Sequence, residues 1–495
     1  MMSEAQKRQG KLFYHGVDLD SRVGPKHSLR RMAEVLDFSF VRPEVARFYG
    51  VKGNVSVDPI VIMKLMLLLY YENVDSERQL LEQLPLRLDW LWFCEYDIDD
   101  ETPHHSVLSK ARKRWGMAVF DSLFTQVLER CIDAGLVDGS IIHIDASLID
   151  ANASKDKLRP ELRRLTESIC EKLDDPEEEN EPEDVRDDDS GNREPLGQRV
   201  SPVDPDARLA KKYGKTTLGY KDHRVVDDSH GIITATITTP ANINDDKVLP
   251  EAVAAHQART QADKVTAVAD RAYGTIENYK HLKENGNNAC IPHQRKAHRK
   301  NKFAQEAFHY DREVDCYVCP AGHKLTIARY VNSSQAHEYR CPRDTCQRCQ
   351  FFSNCVTSKT YGRTISRNVD TEYIEWADSS FSREHRKRLL GRRRTKAEGS
   401  FADAANNHGF KRSRWRGQTM ATIQNLIIAA MQNLRKLLRY TKPKAVPNAI
   451  SMAATGTNPP QNSRTSRWIQ CFGLSWTKMS KYSLFQRTIV EISTN

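Results

Sequence analysis

The sequence predicts a mixed α/β protein, with an all-helical N-terminal domain ahead of a sheet-bearing core and a cysteine-rich insertion inside that core. Three observations carry this expectation. Apolar residues recur at helical spacing through the first 135 or so positions, β-branched stretches take over from residue 137, and six of the eleven cysteines fall between 316 and 355. A chain of 495 residues suggests roughly two to four domains.

Asp58-Pro59 is a helix start, a capping residue followed by proline at the first helical position. PIVIMKLMLLLYY, residues 59–71, is too short to span a bilayer and carries Lys64, so it reads as a buried helix. Residues 76–93 and 105–136 also keep the three-four rhythm of helices. Across the second of these, Lys110, Arg112, Lys113 and Arg114 form a basic face, equally consistent with solvent or with DNA. The N-terminus lacks the long apolar core of a signal peptide, so cytoplasmic residence without membrane association is the expectation.

Strand character begins at Ile141-Ile142-His143-Ile144-Asp145. Residues 171–195 are acidic, proline-containing and almost free of large apolar side chains, which predicts a disordered insertion. A hairpin follows, Tyr220 to Val226 and Ile232 to Thr238 around a turn at residues 227–231. Then come a helix over 245–260, a short strand ending at Asp270, a helix over 276–286 and a last short strand at NNACIPHQRK. After the cysteines lie a basic segment, 382–401, and a helix from about 419 to 440. The last 55 residues show little pattern and read as a poorly ordered tail.

A net charge of +10 and a pI near 8.9 favour a polyanionic partner, nucleic acid first and an anionic membrane second. Asp145 and Asp270 share a local grammar, each ending an apolar run and preceding small or turn-forming residues. Strand-end carboxylates converge when their strands lie side by side, and hard oxygen ligands suit Mg2+ or Mn2+. Two such ions about 3.5–4 Å apart can clamp the attacking and leaving oxygens of a phosphodiester displacement. Glu398, the lone acid early in a strongly basic stretch, is the candidate third ligand. Either Asp alone is more often a cap or turn residue, and Glu398 alone an ordinary salt-bridging helix acid. Asp150 is a further candidate five residues beyond Asp145.

The cysteines form Cys316-x-x-Cys319 and Cys346-x-x-Cys349, with 26 residues between the pairs. Two such knuckles are the pattern of a structural four-thiolate zinc site, with Cys341 and Cys355 as possible substitutes or as part of a second site. Cys94, Cys131, Cys170, Cys290 and Cys471 are scattered and read as ordinary thiols.

Over most of residues 50–440 the chain resembles the DDE transposases of bacterial insertion sequences, whose core is ribonuclease H-like. The motifs carrying the resemblance are HIDASLIDANAS around Asp145, GYKDHRVVDDSHGIITATITTPANINDDKVLPE, DRAYGT around Asp270, and Glu398 followed by Arg416-Gly417 and Gln432-Asn433-Leu434. The resemblance implies Asp145, Asp270 and Glu398 as the catalytic, metal-binding acids. Asp150 matches no such position. It further implies Arg393 or Arg394 as a DNA-contacting arginine, with Arg416 nearby. The lysine expected seven residues after Glu398 is Ala405 here, and Lys411 or Arg412 could take its place.

The implied organisation is a DNA-binding helical domain at 1–135 and a first part of the catalytic core at 136–300, with the acidic insertion at 154–200. A zinc-ribbon-like insertion at 301–375, the rest of the core at 376–440 and a tail at 441–495 follow. The implied activity is cleavage of transposon ends bound at their terminal inverted repeats, then transfer of the 3′-hydroxyl strand to target DNA. Two Mg2+ or Mn2+ ions, a structural Zn2+, double-stranded DNA and a homodimer or larger assembly go with it. Alternatives are an inactive or domesticated zinc-ribbon DNA-binding protein, or a metal-dependent nuclease that cuts without joining.

Overall fold

The computed structural model describes Met2 and residues 18–441, apart from 51, 53–54, 156–157, 161–198, 213, 295–301 and 359. The acidic stretch at 171–195, Cys170, Cys471 and the tail beyond Thr441 lie outside the described residues.

The N-terminal part is helical. Its centre is α1 (Pro59–Tyr71), capped by the Asp58 carboxylate, which accepts from the Ile60 amide at 2.9 Å. The helix is apolar all round and buried on nearly every side, as such a pattern requires. Each buried Leu, Ile or Met there contributes roughly 1.5–3 kcal/mol. Residues 105–136 form two helices rather than one, α2 (Ser106–Trp115) and α3 (Met117–Asp133). Gly116 at φ +71° divides them, a conformation that ends a helix and suits glycine. Among the four basic residues of α2, Arg112 is buried, ion-paired with Glu77 and stacked 3.5 Å from the centre of the Trp415 ring. It is a packing residue, while Lys110, Lys113 and Arg114 remain exposed.

The core sheet is built from β1 (Ile141–Asp150), β2 (Lys215–Asp227), β3 (Ile233–Pro240), β4 (Thr266–Val268) and β5 (Asn288–Cys290). Their order is β3-β2-β1-β4-β5, and a short strand at Arg208–Lys212 pairs antiparallel with the start of β2. β2 runs antiparallel to β1 and β3, while β1, β4 and β5 are parallel. Gly219 of β2 faces Asp150, where an added Cβ would lie 1.9 Å from the Ile149 carbonyl oxygen. The side-chain period of two sends Ile142, Ile144, Ala267 and Ala269 to one face, which α4 (Leu249–Thr260) and α5 (Ile276–Glu284) cover. Val226 and Ile149 belong to the opposite core with the N-terminal helices and the C-terminal helix Gln418–Tyr440.

The cysteine-bearing stretch folds as a five-stranded antiparallel sheet, larger than a ribbon. Its strands are β6 (His309–Asp311), β7 (Cys316–Val318), β8 (Lys324–Val331), β9 (Ala336–Arg340) and β10 (Thr364–Asn368), in the order β10-β9-β8-β7-β6. It has its own core around Tyr317, Leu325, Tyr339 and Ile365. The next helix, α6 (Thr371–Ser379), buries Ala377 against the main core, so the core resumes by Thr371, ahead of residue 376. Three helices complete the described residues: α7 (Arg383–Arg393), α8 (Gly399–Asn407) and α9 (Gln418–Tyr440). Among the described residues, no helix is long and apolar enough to cross a membrane.

Candidate active site

Asp145 does not end its strand. β1 continues five residues past it, because β2 pairs with it as far as Asp150. What ends near Asp145 is the neighbour on the other side, β4. Ile141 lies opposite Thr266, Ile142 opposite Ala267 and His143 opposite Val268. Continued by two residues, this register sets Asp145 level with Asp270. Adjacent strands lie about 4.8 Å apart, so the two acids meet where the parallel pairing stops. Asp270 then turns the chain, its carboxylate accepting from the Ala272 amide at 2.8 Å. Burial raises the Asp145 pKa above the usual carboxylate value, and the nearby charges of Asp270 and Glu398 push the same way. Arg393 and the Ala146 amide oppose that shift.

Glu398 reaches this face through an irregular helical turn. Between α7 and α8, residues Arg394–Glu398 form a π turn, with hydrogen bonds spanning five residues instead of four. In an α-helix, residues five apart point about 140° away from each other at 3.6 residues per turn. The π turn brings Arg393 and Glu398 onto one side, where Arg393 Nη2 donates to Glu398 Oε1 at 3.0 Å. Nη1 of the same guanidinium lies 3.0 Å from Asp145 Oδ2. Arg394, the other arginine suggested by the sequence, is exposed.

Buried polar side chains hold this arrangement. Arg224, opposite Asp145 on β2, is fully buried. Its Nε donates to Asp222 Oδ2 at 2.7 Å, and its Nη1 to Ser400 Oγ at 3.0 Å and Gln432 Oε1 at 2.7 Å. The guanidinium also lies 4.7 Å from the centres of both the Phe401 and Phe410 rings. Gln432 Nε2 donates to the Ser400 carbonyl at 2.8 Å, tying α8 to α9 two residues beyond Glu398. Asn433 exchanges two hydrogen bonds with the Ile233 backbone, at 2.8 and 2.7 Å. Arg392 pairs with Asp228 at 2.7 Å, and Lys396 donates to the Ser229 carbonyl at 2.9 Å, so the β2–β3 turn anchors the helix that carries Arg393. Asp228 also bonds His143 at 2.7 Å, where burial lowers the imidazole pKa. Sequence reading missed Arg224 and Asp228; the local signal for Arg224 is a run of charges inside a strand, and Asp228 lies in the turn that follows it.

The segment after α8 returns to β1. Lys411 Nζ donates to Ser147 Oγ at 2.9 Å, and Arg416 Nε to the Asn152 carbonyl at 3.2 Å. Asp150 is neither a turn nor a loose surface acid. Its backbone bonds the Lys411 carbonyl at 3.0 Å and the Ser413 amide at 2.8 Å. Lys411, Arg412 and Arg416 are exposed, while Ala405 is half-buried on α8.

In the cysteine module, Cys319, Cys341, Cys346, Cys349 and Cys355 line one cavity of about 20 Å³ with His323. Cys316 is buried in β7 and is not part of that lining. Backbone amides point at two of the sulfurs: His323 N lies 3.3 Å from Cys319 Sγ and Arg363 N 3.5 Å from Cys346 Sγ. Burial, with Cys346 next, pushes the Cys341 thiol up to about 12. Among the described residues, no three His, Cys, Asp or Glu side chains are arranged as a ready-made coordination group.

An all-helical front precedes a mixed sheet in which strand register sets Asp145 level with Asp270, and Arg393 joins Asp145 to Glu398. The chain is similar to the DDE-type transposases of insertion sequences: residues 17–114 match the family described as Transposase domain (DUF772), and residues 318–438 match the Transposase DDE domain. Glu398 and the cysteines from Cys319 onward fall inside the second match, while Asp145 and Asp270 lie outside both. Among curated relatives, the chain is similar to the transposase for insertion sequence element IS1106 of Neisseria meningitidis serogroup B, 39% identical over 88 residues. That match covers 18% of this chain and 28% of the relative.

Proposed function

We propose that this chain binds the terminal inverted repeats of its own insertion sequence, cleaves the DNA ends and transfers the freed 3′-hydroxyl strand to target DNA. The observation that carries the reading is that strand register sets Asp145 level with Asp270 while Arg393 bridges Asp145 and Glu398. The strand order β3-β2-β1-β4-β5, with β2 antiparallel, supports a ribonuclease H-like core.

Three carboxylates are a hard-oxygen donor set of the kind that suits Mg2+ or Mn2+, and Asp145, Asp270 and Glu398 are the residues that would hold the ions. Bound there, divalent ions would supply charge stabilisation at a phosphodiester and an activated nucleophile. The chain's own part is to fix the acids: Arg224 and Gln432 hold the Glu398 helix against β2, and Asp228 holds the helix before it. Lys411, Arg412 and Arg416 border β1 beyond Asp145 and would neutralise DNA phosphates, Lys411 in place of the lysine missing at Ala405. In the cysteine module, soft thiolates suit structural Zn2+. The cavity favours ligands from Cys319, Cys341, Cys346, Cys349 and Cys355 over a set containing Cys316. Joining two ends calls for a homodimer or larger assembly.

The test is a strand-transfer assay with the element's terminal repeats and Mg2+ or Mn2+. Joined products from the wild type, and none from Asp145→Ala, Asp270→Ala or Glu398→Ala, are expected. Cleavage without joining would identify a nuclease instead. Salt-dependent binding without cleavage would identify a DNA-binding protein on an inert core.

A further inference from the structure

Arg393 is where the site departs from an open carboxylate cluster. Its side chain is 13% exposed and that of Asp145 is 17% exposed, so their contact is well removed from bulk water. A guanidinium does not deprotonate in proteins, so it holds a permanent positive charge between Asp145 and Glu398. The basic neighbours are engaged elsewhere, Arg392 with Asp228 and Lys396 with the Ser229 carbonyl. The contact with Glu398 depends on the π turn, since regular α-helical geometry would turn the two side chains apart. The contact with Asp145 is an ion pair without hydrogen-bond alignment, a geometry weaker than the paired forks guanidinium and carboxylate can form.

We propose that Arg393 is a positioning residue that occupies the place of a divalent cation, holding Asp145 and Glu398 together until a metal ion displaces it. This rests on the reading of the three acids as a metal site. The guanidinium screens the repulsion between these two carboxylates, so Asp145 and Glu398 are held near each other before any cation arrives. In return it competes with the incoming ion, which lowers the affinity of the DNA-free chain for metal.

The experiment measures Mn2+ binding to the full-length chain without DNA, by the electron paramagnetic resonance signal of free Mn2+. Wild type, R393Q, R393K, R394Q, D145N and the R393Q/D145N double variant are compared, each checked for folding by circular dichroism. R393Q is expected to bind Mn2+ roughly tenfold or more tightly than wild type, because a nearby cation is removed. R393K, which keeps a charge without the fork, should fall between them. R394Q should match wild type, since Arg394 is exposed beside the site. An R393Q isotherm within twofold of wild type, or a weaker one, overturns the role of Arg393 while D145N still abolishes binding. If D145N changes nothing in either background, the metal-site reading itself fails and the role of Arg393 falls with it.

Discussion

Lys411 donates a hydrogen bond to Ser147 at 2.9 Å, and Ser147 stands two residues along β1 from Asp145, on the same side of the strand. A lysine from beyond α8 is thereby held on β1 two residues from Asp145. Lys411 is exposed overall, but partial burial of its side chain lowers the pKa, with Lys212 and Arg224 acting in the same sense, so the ammonium is kept in a positive surrounding that a phosphate would relieve. Lys411→Ala is expected to weaken binding to end DNA about 3–10-fold and to reduce the salt slope by about one. Fluorescence anisotropy across a salt series reads both. An unchanged slope would remove Lys411 from the phosphate contacts.

Asp145 links stability to pH in a direction set by its burial. Its folded pKa is raised, so the folded state binds more protons than the unfolded chain above pH 3.8, and stability falls as pH rises from there through the folded pKa. Asp145→Asn removes this penalty, and its Tm should exceed that of wild type at pH 7 while the two converge near pH 3. The same variant should lose strand transfer by at least about a thousandfold, the scale expected when a group central to the chemistry is removed. Calorimetry paired with the transfer assay checks the two effects, and a lower Tm at pH 7 would contradict the burial argument.

Arg224 holds the Glu398 helix to the sheet from inside the core. Arg224→Met leaves Asp222 buried without its cation, a loss of about 3–5 kcal/mol in stability. Replacing both partners by apolar residues should cost less than the single change. Urea unfolding of the two variants distinguishes them, and equal losses would show that the ion pair is not the cause.

The cysteine cavity separates the thiols into two groups. Cys319→Ser and Cys349→Ser should release bound zinc and unfold the module, whereas Cys316→Ser should retain zinc, since Cys316 lies outside the cavity. Metal analysis of the purified variants, with a chromogenic chelator, gives the count. Zinc lost from Cys316→Ser and kept in Cys319→Ser would reverse the assignment.

Much of the fold is written locally. The Asp58-Pro59 start, the apolar run after it, the hairpin at 220–238 and the helix near 419–440 are short-range patterns, and the chain forms each within a few residues of where its periodicity puts it. The break at Gly116 is equally local but is masked by apolar spacing that runs on through it. The candidate acids were nameable from motif resemblance, and the two cysteine knuckles from spacing alone.

What the sequence by itself determined is therefore the mixed α/β class and the order of the elements, and it named the acids and thiols as candidates. Tertiary structure decided how they meet. The parallel register that levels Asp145 with Asp270 joins residues 125 positions apart by pairing between strands, which no local pattern encodes. The choice of Arg393 over Arg394 depends on one π turn, a backbone irregularity fixed by packing on both sides. Cys316 and Cys319 share a knuckle in sequence, yet Cys316 is buried in its strand and only Cys319 of the two lines the thiol cavity. In each case the deciding contact is long-range, and its energy comes from burial and pairing that exist only once the chain has folded.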